Sequence, residues 1–358
     1  MKDSRSVMLI PFHRVKFVVL RNLMVLALGC GLAVPGLVQA QGAAKPVSPE
    51  AWKTIVDAAH KEGKVLLYSA ATQAIQGRIK TAFNKVYPGI TMEWIRYGSG
   101  ELMTKLDQER QMGADGADVG VSTEVAWFDR AGKAGQLKAP AGPATGAWPA
   151  NFLLHGFSPT LAMEPIVIMV NTNQIKTPVT GQKDLLRPEF KGKIGIEELA
   201  STFVYSWYDN VEKTEEPGYL AKLATNSPRI YPSTVALAQS IASGEIGIAN
   251  FVNMGAAVST VKAGAPARIV LPTPTFANQY QGGVLAWSKR PNAGLVLLDF
   301  LMSRDGQEAW SGDGASASPL AGVPNALDAK PMRPLDLAPY TPERNKEFKV
   351  RFDGLFRR

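Results

Sequence analysis

Residues 64–101 read KVLLYSAATQAIQGRIKTAFNKVYPGITMEWIRYGSGE, and this stretch decides the fold. The segment at 64–69 is the short apolar run expected of a buried strand, and 90–96 is a second one. Between them, residues 75–86 place apolar side chains at helical spacing. Two strands separated by a helix predict a parallel βαβ unit whose sheet is covered on both faces.

The same alternation continues on both sides of this unit. Ser48 suits a helix N-cap, Pro49 suits the first helical position, and Gly63 suits the end of that helix. Further strands are predicted at 117–122, 165–171, 193–196, 246–249, 267–271 and 281–287, and further helices at 202–211, 234–242, 255–263 and 292–302. We therefore expect two α/β halves of similar size.

Residues 1–40 have the pattern of a secretory signal peptide. Five basic residues lie within 1–21, a short apolar run follows at 23–34, and Val38-Gln39-Ala40 supplies small or short residues for a signal peptidase. The apolar run is shorter than the roughly 20 residues that a membrane-spanning helix needs. We predict cleavage after Ala40 and a periplasmic location, with a lipoprotein attached through Cys30 as the alternative.

The mature chain from Gln41 has 318 residues, a length that predicts two domains. Its net charge is +4 against +8 for the full sequence, which suits an anionic ligand. No run of basic residues is interleaved with aromatic ones, so nucleic acid is not an expected partner. Cys30 is the single cysteine, and its removal excludes cysteine nucleophiles and thiolate metal sites.

Three turns combine small and hydroxyl-bearing residues where a predicted strand gives way to a helix. They lie at 69–72, 98–100 and 122–124. In parallel α/β sheets, ligands bind beyond the carboxyl ends of the strands and against helix N-termini. These turns are therefore the first candidates for a binding site, although serine and threonine there are also ordinary helix caps.

A series of short motifs carries a resemblance to a known family. In chain order they are AAHKEGKV at 58–65, YS at 68–69, GSGEL at 98–102, ADV at 117–119 with WF at 127–128, DLL at 184–186, FKGK at 190–193, GE at 244–245, GAP at 264–266, PNA at 291–293 and SRDGQE at 303–308. The chain thereby resembles the type II periplasmic solute-binding proteins of ABC importers. Within them it is similar to the group that includes ferric-iron-binding proteins.

The resemblance implies an α/β fold of two doubly wound lobes joined by crossover strands. Lobe 1 is expected at 45–162, with 280–310 returning to it, and lobe 2 at 163–279. The tail at 311–358 is expected to be extended, with a proline-rich part, and to pack across the lobes. The ligand of such a protein lies in the cleft between the lobes.

The resemblance also implies a function without catalysis. We expect the periplasmic substrate-binding component of an ABC transporter, a monomer without a cofactor, which closes on a small-molecule ligand and delivers it to the permease in the inner membrane. Two other classes remain as alternatives: a ligand-sensing partner of a membrane receptor, which uses the same clamp, and a secreted hydrolase. The hydrolase is disfavoured because the sequence has no Gly-x-Ser-x-Gly motif and no metal-binding histidine pair.

Twelve residues are predicted to contact ligand, and seven of them fall at the positions where this family does so: Ser69, Thr72, Ser99, Ser122, Thr123, Ser201 and Thr202. The predicted ligand-binding residues are Ser69, Thr72, Gly98, Ser99, Gly100, Ser122, Thr123, Glu124, Ser201, Thr202, Asn253 and Tyr280. Hydroxyls and free N–H groups at helix N-termini attract oxyanions. We therefore expect a small organic anion such as a carboxylate, a phosphonate or a phosphate ester, with a neutral sugar or a polyamine as alternatives.

Iron is the sharpest alternative ligand. The ferric-binding relatives use a tyrosine pair in lobe 2, supported by a histidine and a glutamate in lobe 1. The tyrosine pair would fall just after residues 247–250, where this chain has Phe251-Val252, and the histidine would fall within 70–75, where there is none. Only Glu124 matches, so we expect no metal site.

Tyr205, Tyr208 and Tyr280 could in principle rebuild an iron site, but aromatic residues in helix and strand patterns are more often packing residues than ligands. The histidines and the adjacent acid pair are expected to be structural. The histidines lack ligand spacing; they are His13, His60 and His155. Glu197 and Glu198 are adjacent acids at a predicted strand end, and we expect them to be solvated.

Overall fold

A computed structural model describes residues 44–357. The predicted signal peptide, its cleavage after Ala40 and the alternative lipid site at Cys30 lie outside these residues. Within the described range, no helix is both long enough and apolar enough to cross a membrane.

The described chain alternates helices and strands. The helices are α1 (Pro49–Glu62), α2 (Gln73–Val86), α3 (Ser99–Met112), α4 (Val125–Lys133), α5 (Thr202–Glu215), α6 (Tyr219–Thr225), α7 (Thr234–Ser243), α8 (Met254–Lys262), α9 (Pro291–Met302), α10 (Arg304–Ser311) and α11 (Pro342–Phe356). The strands are β1 (Lys64–Ser69), β2 (Thr91–Arg96), β3 (Val119–Ser122), β4 (Leu137–Lys138), β5 (Leu153–Leu154), β6 (Ser158–Asn171), β7 (Ile194–Glu197), β8 (Arg229–Tyr231), β9 (Ile248–Asn253), β10 (Ala267–Val270), β11 (Thr275–Leu285), β12 (Ala317–Ser318), β13 (Leu327–Asp328) and β14 (Met332–Pro334).

One half of the protein, called lobe 1 here, is built on the strand order β2-β1-β3-β11-β6. Strands β1, β2 and β3 are parallel, with Lys64 opposite Thr91 and Leu67 opposite Val119. Strand β11 is antiparallel both to β3 and to β6. The predicted βαβ unit at 64–101 therefore forms one side of this sheet.

The other half, called lobe 2, is built on the strand order β6-β9-β7-β8, with β10 on the other side of β6. Strands β7, β8 and β9 are mutually parallel, and all run opposite to β6. The amino-terminal part of the 14-residue β6 pairs with β11, while its carboxyl-terminal part pairs with β9 and β10. Strand β6 consequently belongs to both sheets.

Helices cover both faces of each sheet. In lobe 1, Phe83 of α2 and Leu297 of α9 pack on one face, while Leu106 of α3 and Phe128 of α4 lie in a separate cluster on the other. In lobe 2, the two clusters include residues of α5, α6 and α11 on one side and of α7 and α8 on the other. This covering explains why the strands are apolar runs instead of alternating patterns.

The carboxyl-terminal tail differs from the expected extended segment. Its last part is the 15-residue helix α11, whose N-cap Thr341 accepts a hydrogen bond from the Arg344 N–H at 3.4 Å. Phe348 and Phe352 of this helix are buried in the lobe 2 core, and the Phe352 ring lies 5.2 Å from the Tyr208 ring. Before α11, β14 pairs with β11 and Met332 packs in the lobe 1 core.

A buried ion pair joins Asp118, the residue before β3, to Arg290 in the segment that returns to lobe 1. Asp118 is fully buried, and its Oδ2 accepts hydrogen bonds from Arg290 Nε and from the Leu66 N–H, each at 2.8 Å. Asp118 Oδ1 accepts from the Ser288 hydroxyl at 2.6 Å. Removing one partner of such a pair leaves the other charge buried without a counter-charge. The resulting loss of stability is larger than the net stabilisation that the intact pair provides.

Asp118→Asn should therefore lower the free energy of unfolding by about 3 kcal/mol, because Arg290 loses its buried counter-charge while the shape of the side chain is kept. Asp115 contacts the same guanidinium, but its side chain is 58% exposed. The matched variant Asp115→Asn should cost less than about 1 kcal/mol. Urea denaturation midpoints at equal m-values measure both, and equal losses in the two variants would contradict this assignment.

Candidate ligand-binding site

A cavity of about 700 Å³ lies between the two lobes and is called the cleft cavity. Its lining residues are Ser99, Gly100, Thr123, Glu124, Ala126, Glu197, Ser201, Thr202, Phe203, Val204, Ser233, Thr234, Phe251, Asn253, Asn278, Leu337 and Ala338. The first five come from lobe 1, the next nine from lobe 2, and the last three from β11 and the tail. Its volume is within the range of about 300–1,000 Å³ that is usual for small-molecule sites.

Five helix N-termini border the cleft cavity. They belong to α3 and α4 of lobe 1 and to α5, α7 and α8 of lobe 2. Each of these helices follows a strand of a parallel sheet, which brings its free N–H groups to the carboxyl edge. Each N-terminus contributes a partial positive charge, so together they favour a negatively charged group in the cavity.

The capping of these helices leaves N–H groups available. Ser201 and Ser233 each use the side-chain oxygen to accept a single N–H of their own helix, at 3.5 and 3.2 Å. The N-cap residues of α4 and α8, Glu124 and Asn253, make no side-chain cap hydrogen bond. Some first-turn N–H groups are already used, since that of Val125 donates to the Thr123 carbonyl at 3.0 Å and that of Gly255 donates to Glu164 Oε1 at 3.2 Å. Only the remaining first-turn N–H groups can donate to a ligand.

Seven of the twelve predicted ligand-binding residues line the cleft cavity. They are Ser99, Gly100, Thr123, Glu124, Ser201, Thr202 and Asn253. The hydroxyls of Ser99 and Thr123 are 2.8 Å apart, which links the starts of α3 and α4. These residues form two opposed groups, one from each lobe.

Three predicted residues support the turns without lining the cavity. The Ser69 hydroxyl accepts from the Ala71 N–H at 3.1 Å. The Ser122 hydroxyl donates to the Ser99 carbonyl at 3.4 Å, and the Gly98 N–H donates to Glu101 Oε2 at 3.3 Å. These contacts fix the loops that carry the lining residues.

The other two predicted residues, Thr72 and Tyr280, border a second cavity of about 460 Å³, called the hinge cavity. It is bounded by α2, α8, the crossover strands and residues 310–316. Glu164 of β6 accepts from the Tyr280 hydroxyl at 3.3 Å and from the Gly255 N–H at 3.2 Å. Burial raises the pKa of the Glu164 carboxyl above its usual value, despite these two donors.

Glu197 departs from the expectation of a solvated strand-end acid. It ends β7, it is only 7% exposed, and its Oε2 has no hydrogen-bond partner among the described residues. Burial, and then the charge of Glu198, raise the pKa of the Glu197 carboxyl to about 8. Glu198 is more exposed and lies 3.4 Å from Arg357, so the expectation of a solvated acid holds for Glu198 alone.

Phe251 occupies the position where the iron-binding relatives would carry tyrosine. It is the extra residue of a β-bulge opposite Val167 and Ile168, with a φ of +74°. Its ring lies 4.9 Å from the Trp207 ring, and the residue lines the cleft cavity. A β-bulge beside a site changes the direction of the side chains it carries, and here the side chain affected is the Phe251 ring.

Tyr208, Tyr205 and His155 each have a contact elsewhere in the protein. Tyr208 is buried and donates to the Glu197 carbonyl at 2.9 Å, while Tyr205 packs against Phe348. His155 Nε2 lies 2.8 Å from Asp129. Among residues 44–357, no three His, Cys, Asp or Glu side chains are close enough to hold a metal ion together.

Several lining residues were not predicted from the sequence. Ser233 and Thr234 follow the three-residue strand β8, and their hydroxyl pair after a strand is the same signal as the turn at 122–124. Asn278 lies inside the crossover strand β11, and Leu337 and Ala338 come from the tail. Nothing in their local sequence marks these last three as cavity residues.

The chain matches a protein-family model described as bacterial extracellular solute-binding protein, over residues 64–315. None of the curated protein sequences compared with it matches significantly. The matched segment includes every strand that forms the two main sheets.

Solved structures match the fold at low sequence identity. The substrate-binding protein of an ABC transporter from Agrobacterium tumefaciens is 17% identical, with a TM-score of 0.67 over 84% of this chain and 97% of that one. Iron-bound HitA from Pseudomonas aeruginosa is 20% identical, with a TM-score of 0.64 over 82% and 99%. AfuA from Actinobacillus pleuropneumoniae, a periplasmic binding protein with fructose-6-phosphate bound, is 21% identical, with a TM-score of 0.58 over 83% and 99%. The predicted fold class, that of the type II periplasmic binding proteins, is confirmed.

The Glu197 carboxyl makes stability depend on pH in the empty protein. Its pKa is raised from 4.5 to about 8, so folding favours the protonated form, and stability falls as pH rises from about 4.5 to about 8. The amide that replaces this carboxyl in Glu197→Gln does not titrate. The stability of the variant relative to the parent protein should therefore increase between pH 5 and pH 8.5, as urea denaturation measures it.

The matched control for this prediction is Glu93→Gln, at an exposed position of β2. Its stability difference from the parent should stay constant over the same pH range. A constant difference for Glu197→Gln as well would contradict the buried environment assigned to Glu197.

Proposed function

The chain belongs to the family of bacterial extracellular solute-binding proteins, and from that premise we propose that it is the periplasmic substrate-binding component of an ABC transporter. It binds a small organic anion in the cleft cavity and delivers it to a permease in the inner membrane. It acts as a monomer, with neither catalysis nor a cofactor.

The observation that carries this proposal is the cleft cavity itself. Its polar walls come from opposed lobes, with Ser99 and Thr123 on one side and Ser201, Thr202 and Asn253 on the other. A ligand held by both walls favours the closed arrangement by its differential affinity for it. Closure on a ligand is what a permease needs to distinguish loaded from empty protein.

The converging helix N-termini support an anionic ligand. A phosphate, phosphonate or carboxylate group accepts hydrogen bonds from free N–H groups and hydroxyls, which is what this cavity offers. The structurally similar AfuA has a phosphate ester bound. Phe251 in place of a tyrosine favours an anion over ferric iron.

A role in sensing would involve the same closure on a ligand, but the closed protein would then bind a membrane receptor instead of a permease. Transport is favoured because the family is one of solute binding and the similar Agrobacterium protein belongs to an ABC transporter.

A thermal-shift screen over carboxylates, phosphonates, phosphate esters, sugars, polyamines and iron should give stabilisation by members of the anion classes. A ligand at 100 times its dissociation constant stabilises the native state by about 2.7 kcal/mol. Stabilisation by sugars or polyamines alone would contradict the proposed ligand class.

For an anion that binds, replacing Ser99 and Thr202 together with alanine should weaken binding at least about tenfold, because two hydroxyl donors to a charged group are lost. The matched control replaces Thr104 and Thr214, which lie on α3 and α5 and bond to the backbone of their own helices. Calorimetric titration compares the two double variants. Equal affinities would place the site away from the cleft cavity.

Ligand binding should also compact the protein. Small-angle scattering should show a smaller radius of gyration with a saturating ligand than without it, because the lobes rotate together about β6 and β11. Unchanged scattering at saturation would argue against closure.

A further inference from the structure

The ionisable side chains of the described residues that line the cleft cavity are both carboxylic acids. Glu197 of lobe 2 and Glu124 of lobe 1 both border it, and no described lysine or arginine does. Helix N-termini account for attraction of an anion, but they do not account for two carboxyl groups in the same cavity. The acids therefore point to a second chemical group on the ligand.

The Glu197 carboxyl is the more informative of the two. Its residue is only 7% exposed, yet its Oε2 has no hydrogen-bond partner among the described residues. Leaving a buried polar atom unpaired is costly. Of the buried side-chain atoms without a partner among the described residues, Glu197 Oε2 is the one whose residue lines the cleft cavity. A partner that arrives with the ligand resolves this cost.

No neighbouring side chain of the described chain supplies that partner. The titratable groups around Glu197 are Glu198 beside it, Tyr208 of α5, Tyr231 opposite it on β8, and Glu124 across the cavity. The Tyr208 hydroxyl donates to the Glu197 carbonyl, and the Tyr231 hydroxyl donates to Glu245 at 2.8 Å. Glu198, the nearest charge, is of the same sign.

A primary ammonium group fits these surroundings. It has three N–H donors and a positive charge, so one donor binds the Glu197 carboxylate and the others reach hydroxyl oxygens that line the same cavity. Ser201 and Thr234 are two such hydroxyls. An uncharged hydroxyl would give one donor and no charge to offset two acids.

We propose that the ligand of the cleft cavity is a small zwitterion, whose oxyanion lies at the helix N-termini and whose ammonium group binds the Glu197 carboxylate. This inference rests on the proposed function and narrows its ligand class from organic anions in general to amino-substituted ones. Glu197 is thereby the residue that determines specificity.

Proton linkage follows from the burial of Glu197. In the empty cleft its pKa is about 8, so the group is mostly protonated at neutral pH. It must ionise to hold an ammonium group, so binding releases a proton, and the affinity for a zwitterion rises with pH up to about 8. A protonated Glu197 that instead donated to the ligand's oxyanion would make affinity fall over the same range.

Matched probes test the amine separately from the anion. The pairs are 2-aminoethylphosphonate with propylphosphonate, 4-aminobutanoate with pentanoate, and phosphoethanolamine with propyl phosphate; propane-1,3-diamine is the probe without an anion. Calorimetric titration of the intact mature protein at pH 6 and pH 8.5 gives affinity and proton release. In at least one pair, the amino compound should bind about tenfold or more tightly than its partner, and more tightly at pH 8.5.

The variant Glu197→Gln should reduce the preference within a pair to near onefold, since the amide cannot offset the ammonium charge. Glu198→Gln is the control, because Glu198 is the adjacent acid and does not line the cavity. It should keep the preference. Circular dichroism checks that both variants are folded. The pH dependence of 4-aminobutanoate binding by the parent protein tests the proposal without either variant, because its carboxylate stays ionised from pH 6 to pH 8.5 while phosphonates and phosphate esters lose a second proton near that range.

The outcomes separate this inference from the proposed function. If anions bind equally with and without the amine, or if Glu197→Gln leaves the preference unchanged, the anion-binding function stands and the zwitterion is wrong. If only the diamine binds, or if no probe binds, both are contradicted.

Discussion

The cleft depends on one constraint, the direction of the two long strands that the lobes share. Strand β6 runs from lobe 1 into lobe 2 beside the antiparallel β11. Because β3 is antiparallel to β11, the strands β1, β2 and β3 run in the same direction as β6, so their carboxyl ends point toward lobe 2. Strands β7, β8 and β9 run against β6, so theirs point back toward lobe 1. Helix N-termini of both lobes therefore meet at one gap, without help from any single side chain.

Much of this fold is readable from the sequence, because local signals coincide with its elements. Ser48 and Gly63 bound α1 as predicted, and the apolar runs mark the strands although their ends shift by a few residues. The errors have physical causes. Strand β8 has three residues, too few for a pattern, and it is held by β7. Helix α11 has a weak apolar face of its own, and burial of Phe348 and Phe352 against lobe 2 makes it helical.

The sequence predicts those lining residues of the cleft cavity that directly follow a strand. Hydroxyls that follow strands lie at the carboxyl edge whatever the rest of the chain does, so Ser99, Thr123 and Thr202 could be selected from sequence. Glu197 could not be selected from the sequence. The alternation of side chains along a strand predicts which face of the sheet a residue lies on, but it does not predict whether that face is buried. What buries it is tertiary: Tyr208 of α5, for example, donates its hydroxyl to the Glu197 carbonyl.

The positive potential of the cleft comes from helix N-termini and not from any lysine or arginine side chain of the described residues, and this difference affects which ligands the cleft can bind. A lysine or arginine in the cavity would attract an oxyanion, but it would also pair with Glu197 and satisfy that carboxyl in the empty protein. Helix N-termini attract the oxyanion through fixed N–H groups that cannot move across to the acid. The carboxyl thus stays unpaired until a ligand brings its own cation. Two independent parts of the cleft then bind the opposite charges of one small ligand: the helix N-termini bind its anion and the Glu197 carboxylate binds its cation. A molecule that lacks either charge loses the contacts made to that charge.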